Sequence, residues 1–298
     1  MNKETIARQL QQYGCLVSLD EPMSAHTSFR IGGPADVFVS ATAEQMKKAI
    51  CFCRENDVPM LVIGNGSNLL VSDGGVEGVV LQPSEQGAAF EEEFVIASAG
   101  MSLGKLCLQA CEHGLSGLEF AYGIPGSVGG GVYMNAGAYG GELADVLVEV
   151  TALDENGNVL VLDKEELKLG YRRSVFMERP LTVLKATFRL KADSPAAIRA
   201  RMDDFLSRRK DKQPLEYPSG GSFFKRPAGY FAGALIEQCG LKGFTVGGAQ
   251  VSEKHAGFVI NRGGATCADV MELCRQVQER VWHAFGVKLE REVQYIGK

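Results

Sequence analysis

A glycine-rich segment from Gly123 to Gly141, GIPGSVGGGVYMNAGAYGG, is the strongest constraint on what this chain can fold into. Eight of its nineteen residues are glycine, so its backbone can take positive φ angles and approach a bulky partner closely. A shorter glycine loop, Gly64–Asn68, follows an apolar run that is typical of a strand. Two such loops predict an extended, phosphate-bearing ligand held by backbone N–H groups. Flexible surface loops are the alternative, but flexible linkers rarely alternate glycine with apolar residues such as Ile124 and Val128.

The bulk properties are those of a globular protein with a large core. The chain has 298 residues, of which 45% are hydrophobic and 22% charged, and this length predicts about two domains. Its net charge of −5 and the lack of a basic stripe argue against a nucleic-acid partner. The amino terminus is charged, and no apolar run reaches the length of a membrane span. We therefore expect a cytoplasmic protein without a membrane partner.

The cysteine and histidine positions predict no metal site. None of the eight cysteines forms a CxxC pair, and the four histidines show no ligand spacing with them. Free and mostly buried thiols are the better interpretation, because unpaired cysteine behaves as a small hydrophobic residue.

The order of helix and strand signals predicts an α+β chain. Thr42 with Gln45, Ser102, and Thr266 with Asp269 are expected to cap three helices. Strands are expected around residues 37–39, 60–63, 79–81, 94–98, 146–153, 159–162, 181–190, 257–260 and 287–295. Helices are expected near residues 42–56, 103–113, 229–239 and 268–285, and from Pro195 onward.

Familiar nucleotide-binding and hydrolase signatures are missing. No GxxxxGK[ST] string occurs, the loop at Gly64 lacks the third glycine of GxGxxG, and no GxSxG elbow is present. By elimination, a large ligand would be met by loop amides together with polar side chains, namely Ser67, Asn68, Ser127 and Asn135.

Seven motifs occur in an order that resembles the UDP-N-acetylenolpyruvoylglucosamine reductase family, also called UDP-N-acetylmuramate dehydrogenases. They are TSFRIGGPAD (Thr27–Asp36), GNGSNLLVSDGG (Gly64–Gly75), GIPGSVGGGVYMNAGAYGGE (Gly123–Glu142), YRRSVF (Tyr171–Phe176), GGSFFKRP (Gly220–Pro227), AGALIEQCGLKG (Ala232–Gly243) and LEREV (Leu289–Val293). The resemblance extends from about residue 25 to residue 297. The chain lacks the longer insertion of some relatives between the arginine and serine motifs, so it resembles the shorter class.

The resemblance implies a fold of the vanillyl-alcohol-oxidase (PCMH) type. An FAD-binding domain over residues 1–192 would consist of two α+β subdomains, about 1–82 and 83–192. A C-terminal α+β domain over residues 193–298 would cap the substrate, and its last strand would return to the active site.

The resemblance also implies non-covalent FAD, with NADPH as the hydride-donating co-substrate. Covalent attachment through His or Cys near the loops is disfavoured because neither loop contains histidine. The implied FAD contacts are Arg30, Gly64, Asn65, Gly66, Ser67, Asn68, Gly123, Pro125, Gly126, Ser127, Gly129, Gly130, Asn135 and Ala136.

The implied reaction reduces the enolpyruvyl ether of UDP-N-acetylglucosamine to the lactyl ether of UDP-N-acetylmuramate. NADPH delivers hydride to flavin N5, the substrate takes it at C3, and C2 is protonated. By resemblance, Ser222 donates that proton, Arg172 stabilises the negative charge that develops on the substrate, and Glu292 completes the catalytic trio. The choice of Arg172 over Arg173 depends on the Tyr-Arg match.

The resemblance implies substrate contacts at Tyr139, Tyr171, Lys212 and Lys242. Arg226 and His255 stand where better-known relatives carry amides, so no role is assigned to them. The alternatives left open are another flavin oxidoreductase of the same fold and a non-catalytic flavin-binding module. We expect a monomer.

Overall fold

The computed structural model describes every residue from Met1 to Lys298. Its α-helices are α1 (Lys3–Gln12), α2 (Ala43–Glu55), α3 (Leu103–Glu112), α4 (Val128–Met134), α5 (Pro195–Lys212), α6 (Ala232–Gln238) and α7 (Cys267–Phe285). Its strands are β1 (Leu16–Pro22), β2 (Pro34–Ala41), β3 (Met60–Val62), β4 (Leu69–Val71), β5 (Val76–Pro83), β6 (Ala88–Glu91), β7 (Phe94–Ser98), β8 (Leu115–Ser116), β9 (Gly137–Ala138), β10 (Gly141–Glu142), β11 (Leu147–Leu153), β12 (Val159–Asp163), β13 (Thr182–Arg189), β14 (Lys191–Ala192), β15 (Ser219–Ser222), β16 (Thr245–Val246), β17 (Ala249–Val251), β18 (Phe258–Asn261) and β19 (Gln294–Ile296). None of the helices is long and apolar enough to span a membrane.

The chain divides into two compact units, each built from several segments. The first unit comprises Met1–Leu19, Val37–Asn65 and Gly78–Arg208, and the second comprises Asp20–Asp36, Gly66–Glu77 and Arg209–Lys298. These units are defined by how tightly their residues pack together. The predicted domains, residues 1–192 and 193–298, are defined instead by the FAD-binding and substrate-binding roles that the resemblance implies. The division into domains therefore stays a prediction.

The first unit contains a five-stranded antiparallel sheet in the order β12-β11-β13-β7-β6. The apolar faces of α3 and α4 pack with this sheet, and Leu106, Val132 and Phe188 lie in one buried cluster. A second cluster of the same unit joins α1 and α2 through residues such as Leu10 and Ile50. A further sheet of the chain has the strand order β1-β2-β5-β3.

The second unit contains a sheet in the order β15-β18-β17-β16 and the parallel pair β19 and β4. Helix α7 lies against this core, because Val270, Val277 and Val281 share a buried cluster with Val259 and Phe223. The pairing of β19 with β4 brings residues near the end of the chain beside the first glycine loop, since Gln294 aligns with Leu69.

The helix boundaries confirm the capping signals found in the sequence. Thr42 and Gln45 form a capping box at α2, and Thr266 and Asp269 form one at α7. The Ser102 hydroxyl accepts a hydrogen bond from the N–H of Lys105 at the start of α3. Each cap provides a partner for an N–H group that the first helical turn leaves unpaired.

The long glycine segment differs from the expected loop, because it contains α4. The Ser127 hydroxyl caps this helix by accepting a hydrogen bond from the N–H of Gly130. The glycines allow close packing: a Cβ on Gly129 would lie 3.0 Å from the Cβ of Ala99, and a Cβ on Gly131 would lie 3.0 Å from a methyl of Leu143. A high glycine content in the sequence predicts a loop. In this segment the glycines instead allow a short helix to pack closely against its neighbours.

Two strand expectations also change. The segment from residue 84 to residue 93, for which the sequence predicts neither a helix nor a strand, contains β6, which pairs with β7. The closing strand, expected over residues 287–295, is confined to Gln294–Ile296. Residues before it make irregular backbone contacts instead, such as the bond from the N–H of Lys225 to the carbonyl of Glu290.

Candidate active site

Backbone strain is concentrated at residues that the sequence predicts for the site. Eight residues other than glycine have positive φ angles, and four of these are predicted site residues, namely Arg30, Asn135, Tyr139 and Arg172. A left-handed conformation costs about 1–2 kcal/mol for most L-residues. Such strain persists where the surrounding structure enforces it, and it clusters at functional sites.

The two predicted glycine loops meet within the first unit. The side-chain Nδ2 of Asn65 donates a hydrogen bond of 3.2 Å to the carbonyl oxygen of Pro125, although the two residues are 60 positions apart. A Cβ added to Gly64 would lie 2.2 Å from the Oγ of Ser127. Only glycine therefore fits at position 64 unless Ser127 moves.

An open cavity of about 380 Å³ adjoins the second loop. Its walls combine the backbone around Gly123 with apolar groups of Tyr122, Ile124, Pro125 and Leu206, and with Ser102 and Gly104. An apolar wall beside glycine backbone is suited to a planar ring whose polar substituents meet backbone groups.

Arg172 projects from a two-residue turn. The backbone N–H of Gly170 donates to the carbonyl of Arg173, and the N–H of Arg173 donates back to the carbonyl of Gly170, each at 3.1 Å. Arg172 takes a φ of +52° in this turn. Its Nη2 donates to the carbonyl oxygen of Gly137 at 3.1 Å, and its guanidinium lies 5.2 Å from the ring centre of Tyr171.

Tyr139 lies at the tip of the hairpin formed by β9 and β10. Its ring stacks on Phe205 of α5, with ring centres 5.1 Å apart and an angle of 12° between the planes. Glycine is required beside this tip, because a Cβ on Gly141 would lie 2.7 Å from the ring of Phe120. The hairpin thus holds Tyr139 against α5.

Asn135 ends α4 and is completely buried. Its side chain contacts protein backbone: Nδ2 donates to the carbonyl of Gly170 at 3.0 Å, and Oδ1 accepts from the N–H of Ala144 at 2.9 Å. Ala136, the next predicted residue, donates its backbone N–H to the carbonyl of Gly131.

The second unit brings together two of the three predicted catalytic residues. Ser222 is the last residue of β15 and is exposed. The backbone N–H of Glu292 donates to the carbonyl of Phe223 at 2.9 Å, so Glu292 lies beside the strand that ends at Ser222. Asn68 joins them, because its Nδ2 donates to the carbonyl of Glu292 at 3.1 Å.

The rest of the first glycine loop and Arg30 also lie in the second unit. The hydroxyl of Ser28 donates to the carbonyl of Ser67 at 3.3 Å, and the N–H of Ser28 donates to the carbonyl of Gly66. A Cβ on Gly66 would overlap the carbonyl of His26, so the loop packs tightly against this segment.

Two lysines and one carboxylate of the same unit, Lys242, Lys212 and Glu237, act electrostatically on His255. Burial lowers the pKa of the His255 imidazole, and the charges of Lys242 and Lys212 lower it as well. Its Nδ1 accepts a hydrogen bond from the N–H of Gly257 at 3.1 Å, which leaves the proton on Nε2. Lys242 also forms a 2.6 Å ion pair with Glu237.

Comparison with known proteins decides the family. The chain is 52% identical over 284 residues to the UDP-N-acetylenolpyruvoylglucosamine reductase of Clostridium botulinum (strain Hall), covering 95% of this chain and 93% of that protein. The chain belongs to the UDP-N-acetylenolpyruvoylglucosamine reductase family. Residues 213–296 match the model of the C-terminal domain of this reductase, and residues 34–163 match the model of an FAD binding domain.

Solved structures agree with this family. The crystal structure of UDP-N-acetylenolpyruvylglucosamine reductase from Thermus caldophilus has a TM-score of 0.80 at 37% identity, covering 94% of this chain and 98% of that one. A BBE-like 1 protein of Physcomitrella patens shares the fold alone, with a TM-score of 0.50 at 19% identity over 64% of this chain and 45% of that one. The predicted fold class and family are confirmed, and the protein is an FAD-dependent oxidoreductase of peptidoglycan precursor synthesis.

The residues present fit FAD. The reductase family model covers the second unit's Ser222 and Glu292, and the FAD-binding model covers both glycine loops. In the first unit, the bond from Asn65 to Pro125 holds the two glycine loops together. The open cavity beside the second loop has glycine backbone on one side and apolar side chains on the other. These features suit a dinucleotide that carries a flat ring system.

Two features were missed by sequence reasoning. One is the pair of side-chain hydrogen bonds that Asn135 makes to protein backbone. Asparagine is a common left-handed residue after a helix, but the sequence did not predict the helix that precedes it. The other is a partly buried ion pair between Glu119 and Arg201, with Arg201 Nη2 and Glu119 Oε1 2.7 Å apart. No local pattern links these two residues, because they are 82 positions apart.

Proposed function

We propose that this chain catalyses the NADPH-dependent reduction of UDP-N-acetylglucosamine enolpyruvate to UDP-N-acetylmuramate. FAD, when bound, relays hydride from NADPH to C3 of the enolpyruvyl group. The protein then has to bind and orient the substrate, stabilise charge and provide one proton to C2. The proposed FAD-binding residues are those named from the two glycine loops, together with Arg30, and the attachment is non-covalent. For Asn135 the proposed FAD contact is limited to its backbone, because its side-chain amide is bonded to the carbonyl of Gly170 and the N–H of Ala144.

Arg172 is proposed to bind the substrate carboxylate, where negative charge develops as C3 accepts hydride. Its planar fork of donors matches a carboxylate in two places. Two observations support this role. Arg172 lies in a turn with a positive φ angle, and its Nη2 donates to the carbonyl of Gly137, so the orientation of the guanidinium is fixed. A preoriented cation is effective because it needs no reorganisation during the reaction.

Ser222 is proposed to donate the proton to C2, and Glu292 to complete the proton-donating group. The observation that carries this proposal is the backbone bond from Glu292 to Phe223, which sets the carboxyl-bearing residue beside the serine in one unit. A hydroxyl is a weak acid, so it serves as a donor only toward a strongly basic carbon.

Substrate contacts are proposed at Tyr139, Tyr171, Lys212 and Lys242. The two lysines are suited to the diphosphate, and the charge of each lowers the pKa of His255. The monomer expected from the sequence is part of this proposal. Support for the cytoplasm comes from the eight free cysteines, because unpaired thiols persist in reducing compartments.

Anaerobic stopped-flow measurements on the Ser222→Ala variant test the proposal. NADPH should bleach the flavin absorbance at the wild-type rate, because this half-reaction needs no proton from Ser222. Recovery of the absorbance on adding the enolpyruvyl substrate should slow by about 10²-fold to 10⁴-fold. Ser219→Ala, in the same strand, is the matched control. Equal slowing of both half-reactions, or wild-type protein whose flavin does not respond to this substrate, would contradict the proposal.

A further inference from the structure

Asn135 is a fully buried polar residue in an unusual backbone conformation. It ends α4 with φ of 43° and ψ of 62°, and its exposed fraction is 0%. Burying a side-chain amide is costly unless its hydrogen bonds are made. Asparagine is one of the few residues other than glycine that adopts this conformation readily. The position therefore requires both a left-handed residue and an amide.

The two ends of this amide connect separate segments of the first unit. Its Nδ2 donates to the carbonyl of Gly170, and its Oδ1 accepts from the N–H of Ala144. The carbonyl of Gly170 also accepts the backbone N–H of Arg173, so both of its lone pairs are used. Asn135 thus lies at the base of the two-residue turn that carries Arg172.

Two further hydrogen bonds join the same segments on either side of Asn135. The Ser174 hydroxyl donates to the carbonyl of Tyr133 at 2.7 Å. The Nη2 of Arg172 donates to the carbonyl of Gly137 at 3.1 Å. Residues 133, 135 and 137 therefore each bind one residue of the segment from 170 to 174. Asn135 is the middle contact, and it is the fully buried one of the three.

We propose that Asn135 is a positioning residue that holds the Gly170–Arg173 turn in the conformation required by Arg172. The inference rests on the proposed function of Arg172 in binding the substrate carboxylate. It gives the Asn135 side chain a role within the protein rather than in direct contact with FAD. A displacement of about 1 Å in a reacting group can cost about 10²-fold in rate, so loss of this contact should be visible in catalysis.

Two variants separate the contribution of the Asn135 side-chain hydrogen bonds from that of its left-handed backbone. Asn135→Asp keeps the acceptor for the N–H of Ala144 and tolerates the left-handed backbone, but it sets a carboxylate oxygen against the carbonyl of Gly170. Asn135→Gly keeps the left-handed backbone and removes both side-chain bonds. Asp57→Asn is the matched control, because Asp57 is also left-handed but lies exposed after α2.

A double-mutant cycle with Arg172→Lys tests the inference. We expect Asn135→Asp and Asn135→Gly to slow flavin reoxidation by the enolpyruvyl substrate by about 10-fold to 100-fold. Their reduction by NADPH and their dissociation constant for FAD, measured by titrating apoprotein, should match those of Asp57→Asn. The double variant should be no slower than Arg172→Lys alone, because a misplaced turn has no arginine left to position.

Each other outcome has a defined meaning. Weaker FAD binding with normal reoxidation at saturating FAD makes Asn135 a cofactor ligand and overturns the inference. Losses that multiply in the double variant also overturn it, because the two residues then act independently. Normal reoxidation in Asn135 variants, while Arg172→Lys is slow, overturns the inference alone. Normal reoxidation in Arg172→Lys removes the proposed role of Arg172 and the inference together.

Discussion

The Nη2 of Arg172 donates a hydrogen bond of 3.1 Å to the carbonyl oxygen of Gly137. This bond crosses from the turn at Gly170–Arg173 to the hairpin that carries Tyr139, so one side of the guanidinium is fixed by the protein. The neighbouring Arg173 differs, because its Nε donates at 3.0 Å to the carboxylate of Glu178 on the surface. The two neighbouring arginines therefore differ in their partners: Arg172 donates to a backbone carbonyl of the hairpin, whereas Arg173 pairs with a surface carboxylate.

Replacing Arg172 with lysine should impair the oxidative half-reaction. A single ammonium cannot donate to Gly137 and also bind a carboxylate at two points. We expect flavin reoxidation by the enolpyruvyl substrate to slow by about 10²-fold to 10³-fold, the range for loss of one preorganised donor. Stopped-flow absorbance measures this rate. Arg173→Lys is the matched control, and a larger loss in that control would exchange the roles of the two arginines.

The sequence predicted the elements of this fold where the local signals were complete. Capping residues such as Thr42 and Thr266 predicted their helices because side-chain caps act within four residues. Helix α4 was not predicted, because glycine has a low helix propensity and the close approach of Gly129 to Ala99 is a tertiary contact. The assignment of Asp20–Asp36 to the second unit also depends on long-range packing that no local pattern reports.

Gly64→Ala should weaken FAD binding through Ser127. The new Cβ would lie 2.2 Å from the Ser127 Oγ, which caps α4 at Gly130. Moving that hydroxyl removes a helix cap worth about 1 kcal/mol and disturbs the second glycine loop. Fluorescence titration of apoprotein with FAD should show a raised dissociation constant. Gly87→Ala is the control, because its Cβ would have only the Ser98 hydroxyl nearby, at 3.9 Å. Equal affinities of Gly64→Ala and Gly87→Ala for FAD would contradict the prediction.

The sequence offers predictions for the candidate site only where a short motif contains the residue. Motif matches led to the prediction of Ser222, Arg172 and Glu292, since short strings carry them, and their roles stay a prediction. The strings do not report how a residue is held: the contact from Asn135 to Gly170 spans 35 positions, and the contact from Asn68 to Glu292 spans 224. Positioning contacts of this kind are tertiary, so a single sequence contains no periodic or spacing signal for them.

A buried carboxylate, Glu119, pairs with the partly exposed Arg201 just before the second glycine loop, and this pair makes stability depend on pH. Burial alone would raise the pKa of the Glu119 carboxyl, but hydrogen bonds from Arg201, Ser116 and the N–H of Gly117 outweigh it and lower the pKa. The Glu119 side chain is 9% exposed, and its Oε1 accepts bonds from Arg201 and Ser116. These charge-assisted bonds join α5 to the segment that leads into Gly123.

Glu119→Gln should therefore lower the free energy of unfolding near neutral pH by about 2 kcal/mol, the scale of hydrogen bonds to a charged group. Because the folded pKa is lowered, the ionised carboxylate contributes stability above the unfolded value of about 4.3. That contribution is lost as the pH falls through the lower, folded pKa. The difference between the wild type and Glu119→Gln should accordingly be constant near neutral pH and shrink below about pH 4.

Urea unfolding of holoprotein at a series of pH values measures this difference. Asp203→Asn is the matched control, because Asp203 lies on α5 like Arg201 and pairs with Arg199 at 3.0 Å, but is 53% exposed. An exposed pair of this kind contributes only about 0–1 kcal/mol. The free energy of unfolding of Asp203→Asn should therefore stay close to that of the wild type at every pH. A difference for Glu119→Gln that persisted unchanged into acid would assign the loss to packing instead of charge. A control as unstable as Glu119→Gln would show that exposed pairs along α5 contribute as much as the pair made by the buried Glu119.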